Sequence, residues 1–125
     1  MATIVKSKYI DGFVLCVPKN KIAAYRLLSR KMGKIMKEYG TLEYKECVID
    51  DIKTAMGIPF NKLAKIKAKE VVVFSWIAFK SKAHRNSVNK KIMQDPRVKK
   101  LCSLKDMPFD CKRMSYAGFK IFVDV

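Results

Sequence analysis

The stretch Tyr9–Val17, YIDGFVLCV, decides how this chain is read. β-branched and aromatic residues dominate it and Pro18 closes it, which is the pattern of a β-strand. Successive side chains of a strand point to opposite faces. One face therefore carries Phe13 and Leu15, and the other Ile10, Val14 and Cys16. A strand wet on one side alternates apolar with polar residues. This one is apolar on both sides and is expected to be covered on both. Glu70–Lys80, EVVVFSWIAFK, repeats the pattern and reads as another central strand.

Between these two strands the period changes. Ile22, Tyr25, Leu28, Met32, Ile35, Met36 and Tyr39 follow the i, i+3, i+4, i+7 spacing of one helical stripe. Asn20 is the expected N-cap and Gly40 the left-handed stop. The opposite stripe is basic: Arg26, Arg30, Lys34 and Lys37. Thr41–Ile49 reads as a strand, with Leu42, Tyr44, Glu46 and Val48 on one face. Asp50 and Asp51 open a long connection that holds Gly57, Pro59 and the basic run Lys62, Lys65, Lys67 and Lys69, and a connection of that length is often functional or mobile. Past the Glu70–Lys80 strand, Ser81 caps an expected helix over Lys82–Gln94, which Asp95-Pro96 stops and follows with a short extra turn through Leu101. Lys112–Val125 is the last expected strand, with a bulge or bend at Gly118.

The order is βαββαβ, the split-βαβ pattern of a ferredoxin-like α+β fold with an antiparallel sheet. No repeat, low-complexity segment or linker interrupts residues 1–125, which read as a single domain. Two helices cover one face of such a sheet. The second face is apolar as well, and a second copy of the chain is its simplest cover, giving a homodimeric α/β barrel.

Composition narrows the function classes. No apolar run approaches the roughly 20 residues of a membrane span, and Met1–Lys8 lacks the apolar core of a signal peptide, which makes a cytoplasmic, membrane-free protein the expectation. Cys16, Cys47, Cys102 and Cys111 form no C-x-x-C pair and one histidine is present, so no metal site is expected. Cys16 and Cys47 read as small buried hydrophobes, and Cys111 precedes Lys112 and Arg113, cations that would activate a thiol. The net charge of +16, from 27 Lys and Arg against 11 Asp and Glu, invites anionic partners, nucleic acid among them. Lysine far outnumbers arginine and is spread along the whole chain, which suits a solvated surface better than bidentate readout of phosphates and bases. Arg26, Arg30, Lys34 and Lys37 are the candidate nucleic-acid face.

No phosphate loop, dinucleotide fingerprint, zinc-protease motif or nucleophile elbow is present. His84, in the first turn of a helix, is the candidate acid–base residue, and the positive helix end should favour its neutral form. Asp11 and Glu43 are carboxylates within apolar strands, where burial would raise their pKa. Trp76 could stack on a planar ligand. Each also has a plainer role: a packing histidine, rim carboxylates paired with lysines, a core tryptophan.

The strings Tyr9-Ile-Asp-Gly-Phe-Val14, Val17-Pro18, Gly40-Thr-Leu-Glu-Tyr-Lys-Glu-Cys47, Val72-Val-Phe-Ser-Trp-Ile77 and Lys80-Ser-Lys-Ala-His-Arg85 resemble the YbaA-like family of uncharacterised bacterial proteins. So do Asn89, Met93-Gln-Asp-Pro-Arg97, Met107-Pro-Phe-Asp110 and Lys112-Arg-Met with Tyr116. The chain departs from the pattern at Ala117-Gly118, where the family has a glycine pair, and in its lysine content. The resemblance implies a dimeric α/β-barrel and no established activity or cofactor. Its wider superfamily includes cofactor-independent monooxygenases, haem-degrading enzymes and small-ligand binders, an analogy of fold that does not fix function. Three readings follow: a homodimeric binder or cofactor-independent enzyme acting on a small organic molecule, with Asp11, Glu43, Trp76 and His84 as candidate liners; an RNA-associated basic protein; and a ligand-free interaction module.

Overall fold

Alternation along the strands sorts the side chains between two faces, and helices cover one of them. The computed structural model describes residues 6–53, 55–103 and 105–125. Strands β1 (Tyr9–Pro18), β2 (Glu43–Val48), β3 (Glu70–Phe79) and β4 (Ser115–Lys120) form one antiparallel sheet in the order β2-β3-β1-β4. Helix α1 (Ile22–Glu38) joins β1 to β2, α2 (Phe60–Leu63) lies in the β2–β3 connection, and α3 (Lys82–Gln94) and α4 (Pro96–Cys102) join β3 to β4. The two doubly apolar strands are the central pair and share a ladder from Tyr9↔Phe79 to Pro18↔Glu70. This is the ferredoxin-like α+β arrangement expected from the element order.

Odd-numbered residues of β1 and β3 face the helices. Leu15, Val17 and Val73 pack with Tyr25 of α1, while Phe79 packs with Ile35, Met36, Val88, Ile92 and Val98. The stripe read on α1 is therefore its buried face. Helix α3 spans the expected residues, and Ser81 caps it, its Oγ accepting from the His84 N–H at 3.0 Å. Asp95 caps α4, with Pro96 at the first helical position, and accepts a 2.6 Å hydrogen bond from Tyr39 Oη that ties α4 to the end of α1.

Several expectations change. Asn20 makes no cap hydrogen bond; it sits in a 3-10 turn over Lys19–Lys21 that precedes α1. Gly40 does adopt a left-handed φ of 98°, which ends the helix where expected. Strand β2 starts two residues later than read, and β4 is shorter, beginning after a 3-10 turn at Cys111–Arg113. Cys47 is exposed because it lies on the face away from the helices, at the edge strand, whereas Cys16 is buried and its thiol donates to the Ala64 carbonyl of the β2–β3 connection. The Arg113 guanidinium pairs with Glu70 at 2.7 Å.

Among the described residues, the second sheet face is covered only at one end. The β2–β3 connection lies over Cys16 and Val72, and Phe60 meets Phe74 edge to face with centroids 6.2 Å apart. Beyond it Ile10, Gly12, Val14, Phe74, Trp76 and Phe119 form a broad apolar surface, with Phe74 42% and Phe119 57% exposed.

Gly118 makes no bulge. The ladder with β1 is unbroken from Val14↔Ser115 to Tyr9↔Lys120, and Gly118 pairs with Asp11. A glycine is needed there because the Tyr9 ring lies across the strand: a Cβ at 118 would stand 2.9 Å from two of its ring carbons. The ring cannot simply move aside, since Arg85 holds its hydroxyl and stacks on its face. Gly118→Ala should therefore destabilise the fold by about 1–3 kcal/mol, read as a lower urea midpoint at unchanged m-value.

Candidate functional site

Asp11 projects from β1 beneath α3 and is 1% exposed. Its Oδ1 faces Arg85 Nη1 at 3.3 Å, and its Oδ2 accepts from Asn89 Nδ2 at 3.4 Å. Arg85 also donates to Tyr116 Oη at 2.9 Å and Tyr9 Oη at 3.1 Å, and its guanidinium stands 5.0 Å from the Tyr9 ring centre. Burial raises the Asp11 pKa; the Asn89 hydrogen bond and the Arg85 charge oppose it. The cluster ties α3 to β1 and β4.

Glu43 and Trp76 lie on the opposite sheet face, where Trp76 Nε1 donates to Glu43 Oε2 at 3.3 Å. His84 is half-buried at the start of α3, edge-on to Phe79 with ring centres 5.7 Å apart, and its Nδ1 accepts from the Lys80 N–H at 3.1 Å. Burial, then the charges of Lys80 and Lys91, hold its pKa below the ordinary value. The four candidate residues thus occupy three places: Asp11 under α3, Glu43 with Trp76 on the open face, and His84 against Phe79.

A different constellation lines a cleft between α1 and β2. Tyr25 and Ser29 lie one helical turn apart on α1, and Tyr44 and Glu46 two residues apart on β2, so both pairs point into the same space. Tyr25 Oη donates to Glu46 Oε2 at 2.6 Å, and Ser29 Oγ and Tyr44 Oη share a 2.9 Å hydrogen bond. These four residues line two adjoining cavities. One of about 320 Å³ opens past Arg26 and Arg30. The other, about 190 Å³, runs under α1 and α4 among Phe13, Leu28, Met32, Phe109 and Met114. Desolvation raises the Glu46 carboxyl, against the hydrogen bonds from Tyr25 and Ser29, although the residue as a whole is exposed at the cleft edge. Desolvation also pushes the Tyr44 phenol up to about 12 and raises Tyr25 further. A carboxyl whose pKa desolvation raises, beside two neutral phenols and opening onto an apolar chamber, is suited to gripping a polar group of an organic molecule.

The sequence reading missed this cleft. Its signal was present: polar tips at i, i+4 on an otherwise apolar helical stripe, facing polar tips at i, i+2 on a strand. The basic stripe also divides. Arg26 and Arg30 line the cleft, while Lys37 Nζ donates to the Leu42 carbonyl at 2.7 Å. Among the described residues no group of three or more His, Cys, Asp and Glu is placed to hold a metal, and no helix is long and apolar enough to cross a membrane.

Two outcomes follow. Arg85→Met leaves a buried carboxylate without its counter-charge and should cost roughly 3 kcal/mol at pH 7. The loss should shrink as pH falls and Asp11 takes up a proton, which urea melts at pH 7 and pH 5 will compare. His84 has a folded pKa below its unfolded value, so the fold favours the neutral ring. That stability is present above the unfolded value of about 6.5 and is lost as pH falls through the folded one. Wild type should lose stability between pH 7 and pH 5, and His84→Gln should show a shallower slope over the same range.

Comparison with known proteins agrees with this architecture. A family model described as "Protein of unknown function (DUF1428)" matches residues 8–111. The chain is 43% identical over 117 residues to the uncharacterized protein YbaA of Escherichia coli strain K12, covering 94% of this chain and 98% of that one, and the Shigella flexneri protein matches to the same extent. A dimeric ferredoxin-like protein from an uncultured marine organism superposes with a TM-score of 0.55 at 11% identity, covering 94% of this chain and 99% of the other. An uncharacterized NIPSNAP domain protein from Burkholderia xenovorans does so with a TM-score of 0.51, at the same identity and coverage. At that identity the two structures speak to fold alone, and the fold is the ferredoxin-like one described above. By the family match and the near end-to-end identity with YbaA, the chain belongs to the DUF1428 family of proteins of unknown function.

Proposed function

We propose that this chain is a homodimeric protein that binds a small organic molecule in the cleft between α1 and β2. The observation that carries the reading is the pairing of Tyr25 with Glu46 and of Ser29 with Tyr44 at the junction of a half-open cavity and an apolar chamber. Convergent polar groups inside an otherwise apolar concavity are the usual form of a small-molecule site. The volumes, about 320 and 190 Å³, suit a small ligand. Whether the cleft also catalyses turns on Glu46, whose raised carboxyl is suited to proton transfer.

The dimer is supported from the other side of the sheet. The surface around Val14, Phe74, Trp76 and Phe119 is apolar, broad and outside the helical cover, and monomeric proteins rarely leave such a patch in water. The ferredoxin-like protein from the marine organism is itself described as dimeric. The RNA-associated reading draws on the net charge of +16 and on the basic stripe Arg26, Arg30, Lys34 and Lys37.

Light scattering should give twice 14.4 kDa at micromolar concentration, and Phe119→Glu should give a folded monomer. A fragment library screened by protein NMR should move the signals of Tyr25, Ser29, Tyr44 and Glu46 together. A soluble wild-type monomer would overturn the assembly; a library that leaves those four residues untouched would overturn the site.

A further inference from the structure

The five arginines of this lysine-rich chain divide sharply. Arg85 pairs with Asp11, Arg97 with Asp95 and Glu38, and Arg113 with Glu70. Arg26 and Arg30 have no carboxylate or hydrogen-bond partner among the described residues, and both line the larger cavity, one helical turn apart. Arginine differs from lysine in presenting a planar fork that matches a carboxylate or similar acid. Elsewhere in this fold the fork is matched by a carboxylate of the chain. In the cleft no carboxylate among the described residues takes either fork.

We infer that the cleft binds a small organic monoanion, its acid group on Arg26 and Arg30 and its apolar body in the chamber under α1 and α4. The inference rests on the cleft being a ligand site and adds the class of ligand. Charge supports it. Glu46 is the carboxylate of the cleft, and one of its oxygens is already taken by Tyr25. Two fixed cations therefore face one carboxylate. A single added negative charge balances the site.

The lining decides what carries that charge. Phe13, Leu28, Met32, Phe109 and Met114 offer nothing to a phosphate or a sugar, so an inorganic anion or a nucleic-acid backbone would leave the chamber unused. Methionine and aromatic side chains adapt to a flat or kinked apolar body. A bicyclic aromatic acid has the required shape: one edge charged, the remainder apolar, and small enough for the combined space.

The test compares 2-naphthoate with its neutral isostere 2-naphthamide on the full chain, by calorimetry and protein NMR. Naphthoate should perturb Tyr25, Ser29 and Glu46 and bind about tenfold tighter than the amide, the margin of one charge-assisted contact. R26Q/R30Q should erase that margin, lowering naphthoate affinity about tenfold and amide affinity much less; both positions are exposed on α1, and an unaltered melting curve checks the fold. R26K/R30K should keep part of the margin. Equal affinity of acid and amide at the cleft would overturn the anion class and leave the ligand site standing. Equal loss of both in R26Q/R30Q would also overturn it, by assigning the arginines a packing role. Shifts confined to Trp76 and Phe74, or none at all, would overturn both the class and the site, as would protection of Arg26 and Arg30 by a structured RNA and not by naphthoate.

Discussion

A sheet that is apolar on both faces, with helices for only one, is the constraint on which the rest of this molecule depends. β1 and β3 pair along their whole length and occupy the centre, so neither can hide its second face at an edge. Helices α1, α3 and α4 cover the side of Leu15, Val17, Val73 and Phe79. On the other side the β2–β3 connection shields Cys16 and Val72 and stops short of Phe74 and Phe119. Each large side chain left in water forgoes roughly 1.5–3 kcal/mol of burial. A second sheet laid face to face recovers that for several residues at once.

The covered side divides its polar groups between two jobs. Between α3 and the β1–β4 edge, Asp11, Arg85, Asn89, Tyr9 and Tyr116 hold a charged pair out of water, with Asp11 Oδ1 and Arg85 Nε left without a hydrogen bond among the described residues. Such a cluster fixes the register of helix on sheet, and Gly118 is flat so that the Tyr9 ring can lie across it. Between α1 and β2 the polar groups are also paired, but beside open space. The first arrangement fastens helix to sheet, and the second lines a cavity. Both clusters join a desolvated carboxyl to tyrosines, but Asp11 is buried whereas Glu46 stands at the exposed edge of a cavity.

Charge is organised less evenly than the composition suggests. Lysines are scattered over the surface, as expected for a solvated shell, while arginines are placed singly against acids or at the cleft. The net charge of +16 is therefore a poor guide to partners, and the position of two guanidinium groups is a better one.

What the sequence determined by itself is what short-range periodicity encodes. Period two in YIDGFVLCV and EVVVFSWIAF, the helical stripe from Ile22 to Tyr39, Gly40 as a stop and Ser81 and Asp95 as caps give the elements, their order and the doubly apolar centre of the sheet, because each depends on neighbours a few residues away. Long matched strings gave the family for the same local reason. The absent bulge at Gly118, the exposure of Cys47 and the separation of Asp11 from Glu43 were decided only in three dimensions. So was the meeting of Tyr25 with Glu46 and of Asp11 with Arg85, which are 21 and 74 positions apart in the chain. Periodicity tells which face a side chain occupies. Which distant side chain it meets there depends on strand order and helix packing, and no local pattern in the sequence records either.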